Sequence, residues 1–390
     1  MTRSTHQTVL VAHPGAELYG SDRVLLESVS ALVVDGWRVV VTVPGSGPLL
    51  AAIFERGGEV ALCPTPVLRK SALRPRGLLR LIAATVSGWL AGWRLISRER
   101  PAALYVNTMT IPLWQLLGWM RRVPVLAHVH EGEASASRFV RSILALPLFL
   151  SARIIANSEF SRSVLGDSFS RLGRRTKVVY NGVQGPPTHR AARAKLDAPV
   201  RVTYIGRLSP RKGVDIAIDA LALLSARGVD ARLDLIGGVF PGYEWYEAQL
   251  HDQVRRRHLD SRVQFHGFTP SIWDLLGAGD LVIVPSRVDE PFGDTAVEAI
   301  LGGRPVVASA TSGLLEATAG YETARIVTPG DATALANGVQ ATISQWSLSR
   351  AAAIADIETA RRRHGPDVYR KTIAGIVRSL VTGREAMVQQ

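Results

Sequence analysis

Short apolar runs rich in Val, Ile and Leu alternate along the chain with longer segments whose apolar residues recur at helical spacing. In the first half "TVLVAH", "RVVVTVP", "ALYVNT", "PVLAHVH", "ARIIANS" and "KVVYNGV" read as strands. Segments such as "SDRVLLESVSALVVDG" and "RFVRSILALPLFL" between them read as helices. Runs this apolar suit strands covered on both faces, as in parallel sheets. The alternation therefore predicts an α/β, doubly wound domain over residues 1–183. Residues 184–199, "QGPPTHRAARAKLDAP", break the pattern and read as an interdomain linker. The alternation restarts over 200–365 with "VRVTYIG", "ARLDLIGG", "RVQFHGF", "DLVIVPS", "RPVVASA" and "ARIVTPG". The tail 366–390 carries "PDVYRKTIAGIVRSLV", one more amphipathic helix. There is no short-period repeat, heptad run or low-complexity segment.

At 390 residues the chain suits two domains of ordinary size. An apolar fraction of 47% marks it as a folding, globular sequence. The net charge of +13 calls for a tolerant surface or an anionic partner: nucleic acid, an anionic membrane face or a phosphorylated substrate. Nucleic acid is disfavoured, because basic stripes interleaved with aromatics are missing. One cysteine, Cys63, excludes an internal disulfide and fits a reducing cytoplasm. The N-terminal apolar run is too short for a signal peptide and reads as a first strand. The most apolar stretch, 78–96, contains Arg80 and Arg94 and falls short of an uninterrupted span. Two readings of it stay open: a buried or half-buried helix, or a surface helix docking on a membrane through Trp89 and Trp93.

Ligands of open α/β sheets bind beyond the carboxyl ends of strands, so the strand-to-helix turns carry the candidate chemistry. In "IGRLSPRKGVD", Arg207 and Lys212 follow a strand, with Pro210 and Gly213 shaping the turn. A planar guanidinium and a compact ammonium suit a diphosphate. The chain's lysines number only five, at 70, 177, 195, 212 and 371, which singles out Lys212. In "DEPFGDTAVEAILGG", Pro291 keeps Glu290 in the turn, and a helix starts near Asp294 or Thr295 and ends at Gly302-Gly303. Thr295-x-x-Glu298 also matches a capping box, which would make Glu298 structural. In "LAHVHEGEA", His128 and His130 share one side of a strand, with Glu131 and Glu133 close behind. Too few further ligands accompany them for a metal site, and His130, nearest the strand end, is the better cleft residue. The first turn, "AHPGAELYGSDRVLLE", lacks a dinucleotide fingerprint. Here Ser21 is a candidate N-cap, Gly20 leaves room for a phosphate, and His13 sits where a general base could face a cleft.

Taken together, these motifs resemble family 4 of the retaining glycosyltransferases over nearly the whole chain. "GRLSPRKG" resembles the family's Gly-Arg-Leu-x-x-x-Lys-Gly, and "EPFGDTAVEA" its Glu-x7-Glu motif. "VVYNGV", "VQFHGF", "VIVPS" and "YGSDRVLLE" follow in the matching order, except that Tyr19-Gly20 stands where the family has paired glycines. The resemblance implies the GT-B fold, two Rossmann-like domains facing a cleft, with the C-terminal helix packing back toward the first. It implies that Arg207 and Lys212 bind the donor diphosphate and stabilise the departing nucleotide. By the same resemblance Glu298 takes the ribose hydroxyls and Glu290 the donor sugar, while Phe292, Gly293, Asp294 and Thr295 offer contacts at the helix start. Phe268 would lie near the base, Gly20 near a phosphate, and His130 would face the transferred sugar. The implied chemistry needs no metal or other cofactor and retains anomeric configuration.

The expected function is transfer of a hexose from a nucleotide-diphosphate sugar to a lipid-linked or saccharide acceptor in bacterial glycan or glycolipid biosynthesis. The expected place is the cytoplasm or the inner face of the plasma membrane, with peripheral contact to anionic lipid. Two alternatives stay open: an inverting transferase or sugar-nucleotide epimerase with His13 as base, and a non-catalytic nucleotide- or nucleic-acid-binding protein.

Overall fold

The Val- and Ile-rich runs form two parallel sheets, one in each of two compact units. The computed structural model describes residues 7–18, 20–68, 75–132, 137–240 and 242–388. The first unit comprises Met1–Gly182 and Pro366–Gln390, the second Val183–Gly365.

The strands of the first unit are β1 (Thr8–Ala12), β2 (Arg38–Val43), β3 (Glu59–Leu62), β4 (Ala103–Val106), β5 (Val125–Val129), β6 (Arg153–Ala156) and β7 (Thr176–Val178). They pair in the order β3-β2-β1-β4-β5-β6-β7, all parallel. The centre is covered on both faces: every residue of β1, β4 and β5 is buried. The helices are α1 (Gly20–Val34), α2 (Leu49–Glu55), α3 (Pro75–Glu99), α4 (Leu113–Met120), α5 (Arg138–Ala145), α6 (Glu159–Ser168) and α7 (Ser170–Arg175). Two details depart from the sequence reading. The segment 138–150 is not one helix: α5 stops at Ala145 and a 3-10 turn runs over Leu146–Leu150. Pro147 supplies the reason, since it has no N–H for the helical ladder. The edge strand β3 has no apolar signature, because it is only four residues long and half exposed.

In the second unit β8 (Val200–Ile205), β9 (Ala231–Ile236), β10 (Val263–Gly267), β11 (Leu281–Val284), β12 (Val306–Ser309) and β13 (Ala324–Val327) pair in the order β10-β9-β8-β11-β12-β13. The helices are α8 (Val214–Ala226), α9 (Glu244–Arg256), α10 (Trp273–Ala278), α11 (Asp294–Leu301), α12 (Ser312–Thr318), α13 (Ala332–Ser344) and α14 (Trp346–His364). Residues 184–199 contain no helix or strand and pack on this unit. Ala192 is buried, and the Arg193 guanidinium donates to the buried Asp280 carboxylate at 2.8 Å. The Arg304 guanidinium, fully buried, donates to the carbonyls of Arg190, Gly277, Gly279 and Gly302. It thus satisfies the ends of α10 and α11 and one carbonyl of the irregular stretch. Burial pushes its pKa down to about 10.

The last helix, α15 (Pro366–Val388), belongs to the first unit. Tyr369, Ile373, Val377, Leu380 and Val381 enter the same apolar cluster as Val9, Leu25 and Leu32. Tyr369 and Ser28 of α1 share a hydroxyl–hydroxyl hydrogen bond of 2.6 Å, and Arg370 pairs with Glu27 at 2.6 Å.

α3 is half-buried, and no described helix is long and apolar enough to cross a membrane. Gly88, Gly92, Leu95 and Ile96 face inward. Trp89 and Trp93 stack on each other with centroids 6.3 Å apart, half-buried, and the Arg121 guanidinium lies over Trp93. The residues that face solvent are instead Ile82, Val86 and Leu90, each more than half exposed. The expectation that the two tryptophans form an outward docking edge is therefore corrected. Spacing of four residues stacks Ile82, Val86 and Leu90 into one ridge.

Candidate functional site

Strand order reverses between β8 and β11, and Arg207, Lys212, Glu290 and the start of α11 follow these two strands. After β8 the chain leaves through Gly206, and the Tyr204 hydroxyl donates to the Arg207 carbonyl at 2.8 Å. Arg207 is exposed, with its guanidinium 5.6 Å from the centre of the Phe240 ring. Pro210–Lys212 make a 3-10 turn that ends at Gly213, whose φ is +68°. A Cβ on Gly213 would lie 2.0 Å from the Pro285 carbonyl oxygen, so only glycine lets this turn press against the β11 loop.

That approach joins the two loops chemically. Lys212 Nζ lies 2.7 Å from Glu290 Oε1 and donates to Oε2 at 2.8 Å. The Ser286 hydroxyl donates to Oε1 at 2.6 Å. Burial would raise the Glu290 carboxyl, but the Lys212 charge and these hydrogen bonds hold it below the ordinary glutamate value. α11 then starts at Asp294, capped by Gly293 with φ +143° and by no side chain. This overturns the capping-box reading. Thr295 is the second residue of the helix, not its cap, so Glu298 has no box to complete. Asp294, Thr295 and Glu298 are all partly exposed, and Asp294 and Glu298 share a face one turn apart. Phe292 departs from expectation: its ring is buried, 5.4 Å from the His364 ring, which leaves its backbone as the part that can meet a ligand. Phe268, after β10, is 54% exposed and suits stacking.

The first unit assembles a second set beyond β1, β4 and β5. His13 Nε2 lies 2.7 Å from Asp22 Oδ1, and both residues are buried. His13 Nδ1 lies 3.1 Å from Asn107 Nδ2, and Asn107 Oδ1 lies 3.0 Å from His130 Nε2. His128 and His130 do share one side, with ring centroids 3.8 Å apart. His128 is fully buried and meets the Tyr105 hydroxyl at 2.7 Å. Burial, with His13 nearby, pulls the His130 pKa down to about 3, so this ring is neutral at pH 7. The Glu131 carboxylate accepts from the Thr108 hydroxyl and from the backbone N–H of His130 at 3.0 Å, and burial raises its pKa. Gly20 is the exposed first residue of α1, so Ser21 lies inside the first turn and is not the N-cap. Tyr19, Lys70 and Glu133 lie outside the described residues. Among the described residues, no three His, Cys, Asp or Glu side chains gather as a metal site.

Three features escaped the sequence reading: the Lys212–Glu290 pair, and Asp22 and Asn107 beside His13. The pair joins residues 78 positions apart, and only the adjacency of β8 and β11 brings it together. Asn107 did carry a signal, as a polar residue at the carboxyl end of an apolar run.

Two family models cover most of the chain. One described as Glycosyltransferase Family 4 matches residues 19–184, and one described as Glycosyl transferases group 1 matches 187–358. The glycogen synthase of Mycobacterium tuberculosis is 29% identical over 263 residues, which is 65% of this chain and 61% of that protein. A GDP-mannose-dependent alpha-(1-6)-phosphatidylinositol dimannoside mannosyltransferase of the same organism is 32% identical over 182 residues, 43% of this chain and 45% of that protein. The chain thus spans about three fifths or less of the length of these curated relatives. Anabaena HepE, solved in complex with UDP and glucose, superposes with a TM-score of 0.79 at 24% identity, covering 96% of this chain and all of that one. That likeness fixes the architecture as two parallel-sheet, Rossmann-like domains of the GT-B type. With both halves matched by its models, the chain belongs to the family 4, or group 1, glycosyltransferases.

Proposed function

We propose that this protein transfers a hexose from a nucleotide-diphosphate sugar to a saccharide or lipid-linked acceptor, in glycan or glycolipid biosynthesis. The observation that carries the reading is the Lys212–Glu290 pair, which joins the two loops that follow β8 and β11 at the strand-order reversal, with Glu298 on the helix that comes next. Arg207 and Lys212 take the diphosphate, where negative charge grows as the nucleotide departs. Fixed cations there are worth about 2.7–4 kcal/mol each by analogy with oxyanion donors. Glu298 takes the ribose hydroxyls, Glu290 the sugar, and Phe268 stacks on the base. Gly293, Asp294 and Thr295, with the Phe292 backbone, line the start of α11. In the first unit Gly20 borders a phosphate, and His130 accepts a hydrogen bond from the transferred sugar. The chemistry runs without a metal or other cofactor.

Anabaena HepE was solved with UDP and glucose, and one relative is named GDP-mannose-dependent, so UDP- and GDP-sugars head the donor list. A thermal-shift and hydrolysis screen against UDP-, GDP- and dTDP-sugars tests the reading. Stabilisation by none of them would reject it in favour of a non-catalytic binding protein.

Transfer proceeds with retention, the departing phosphate helping to take the acceptor proton. His13 is 1% exposed and meets Asn107 on one ring nitrogen and Asp22 on the other. It has no lone pair to offer an acceptor, which weighs against an inverting or epimerising role. An inverted product anomer would reverse that judgement.

The acceptor side faces an anionic membrane at the cytoplasmic surface. All of the net charge belongs to the first unit, with 26 Lys and Arg against 13 Asp and Glu, while the second has 20 of each. The ridge Ile82, Val86 and Leu90 on the same unit supplies apolar contact. Together they are the two signals that stable interfacial binding requires.

A further inference from the structure

The polar groups around His13 form a directed chain of which the proposed transfer uses only the last member, His130. It runs Asp22–His13–Asn107–His130, with links of 2.7, 3.1 and 3.0 Å. An amide gives such a chain a sense, since its NH2 only donates and its carbonyl only accepts. Facing the Asn107 NH2, His13 Nδ1 is a lone pair, and the His13 proton sits on Nε2, where it meets Asp22. Facing the Asn107 carbonyl, His130 Nε2 carries the N–H. Reversing the amide with His13 neutral would turn His13 Nδ1 into the donor and leave its Nε2 lone pair against a carboxylate. The charge at the far end thereby selects the orientation. His130 Nδ1 is left as the bare nitrogen, and it makes no hydrogen bond among the described residues.

We propose that Asp22, His13 and Asn107 are positioning residues that hold His130 as the Nε2–H tautomer, presenting Nδ1 as the acceptor for a hydroxyl of the bound sugar. The proposal rests on the reading of His130 as the histidine that meets the transferred sugar. The carboxylate–imidazole–amide series does for a sugar-facing histidine what outer partners do for metal-bound ones, where their loss costs about 10- to 100-fold.

Long-range 1H–15N NMR of the full chain labelled at its nine histidines reads the tautomer without donor or acceptor. The His130 signal is assigned by its loss in His130→Gln. We expect the wild type to show neutral His130 protonated at Nε2. Asn107→Asp keeps an acceptor toward that N–H and should preserve the tautomer. Asn107→Leu removes it and should populate both tautomers, with kcat for transfer falling about 10- to 100-fold and donor KM changing less than about twofold. A wild-type His130 protonated at Nδ1, a doubly protonated His13, or an Asn107→Leu spectrum like the wild type would each overturn the proposal. The first two need only the wild-type spectrum, assigned by the signals lost in His130→Gln and His13→Gln, and do not depend on the Asn107 variants. Unchanged kcat in His130→Gln, with the tautomer as expected, would instead sink the catalytic reading of His130.

Discussion

Lys212 and Glu290 neutralise each other in the free protein, and this defines what each contributes. Lys212→Ala should lower kcat/KM for the donor about 100- to 1,000-fold, by analogy with loss of one oxyanion donor. It should also change how stability depends on pH. The folded Glu290 carboxyl is held below its ordinary value of about 4.3, so the pair's contribution is present above that value. It is lost as pH falls through the folded pKa. Urea titrations should show Lys212→Ala about 1–2 kcal/mol less stable at neutral pH, a modest figure because Lys212 is partly exposed. The difference should close as pH falls below the ordinary glutamate value and on through the lower folded pKa; a constant gap would refute the account. Glu298 makes the opposite case. With Gly293 as the cap of α11, Glu298→Gln has no capping role to lose. Its melting temperature should stay within about 2 °C of wild type, less than 1 kcal/mol would move it. Donor KM should rise. A lower melting temperature with donor KM intact would restore the structural reading of Glu298.

At the scale of elements, hydrophobic patterning was a good guide where strands are central and a poor one at the edges. β1, β4, β5 and β11 are buried throughout and stood out as unbroken apolar runs. β3 carries Glu59 on a half-exposed edge and left no such trace. The loops show the same division. Gly213 and the glutamates were legible as motifs, because their chemistry is local. Two facts were not legible: that the turn before α8 touches the loop after β11, and that Arg304 sits inside α10 and α11 rather than heading a strand. Both depend on which strands become neighbours. Gly213 measures the first of these contacts. Gly213→Ala would place a side chain in left-handed backbone against the Pro285 carbonyl. The left-handed backbone alone costs about 1–2 kcal/mol, and relief of the clash adds to it. We expect at least 2 kcal/mol less stability by denaturant titration, with donor binding weakened as Lys212 shifts away from Glu290. Wild-type stability would show that the two loops do not meet.

For the whole molecule, charge and chain order matter more than any single contact. A neutral second unit beside a first unit carrying 26 basic residues predicts binding to anionic vesicles that weakens with salt. The triple variant Ile82→Ser, Val86→Ser and Leu90→Ser should reduce cosedimentation with anionic vesicles and leave hydrolysis of soluble donor unchanged. Equal binding to neutral vesicles, or none to anionic ones, would refute the membrane reading. Chain order reaches further. α15 gives five side chains to the core of the first unit, worth on the order of 10 kcal/mol, which rivals the stability of an ordinary domain. Deleting 366–390 should therefore expose the first unit to limited proteolysis while residues 183–365 survive. During synthesis the ribosome makes the first unit's earlier strands, then all of the second unit, and only then that helix. Domains usually fold in the order they emerge. Here the half begun first must wait for a helix made after the second unit, so the second unit is expected to mature ahead of the first.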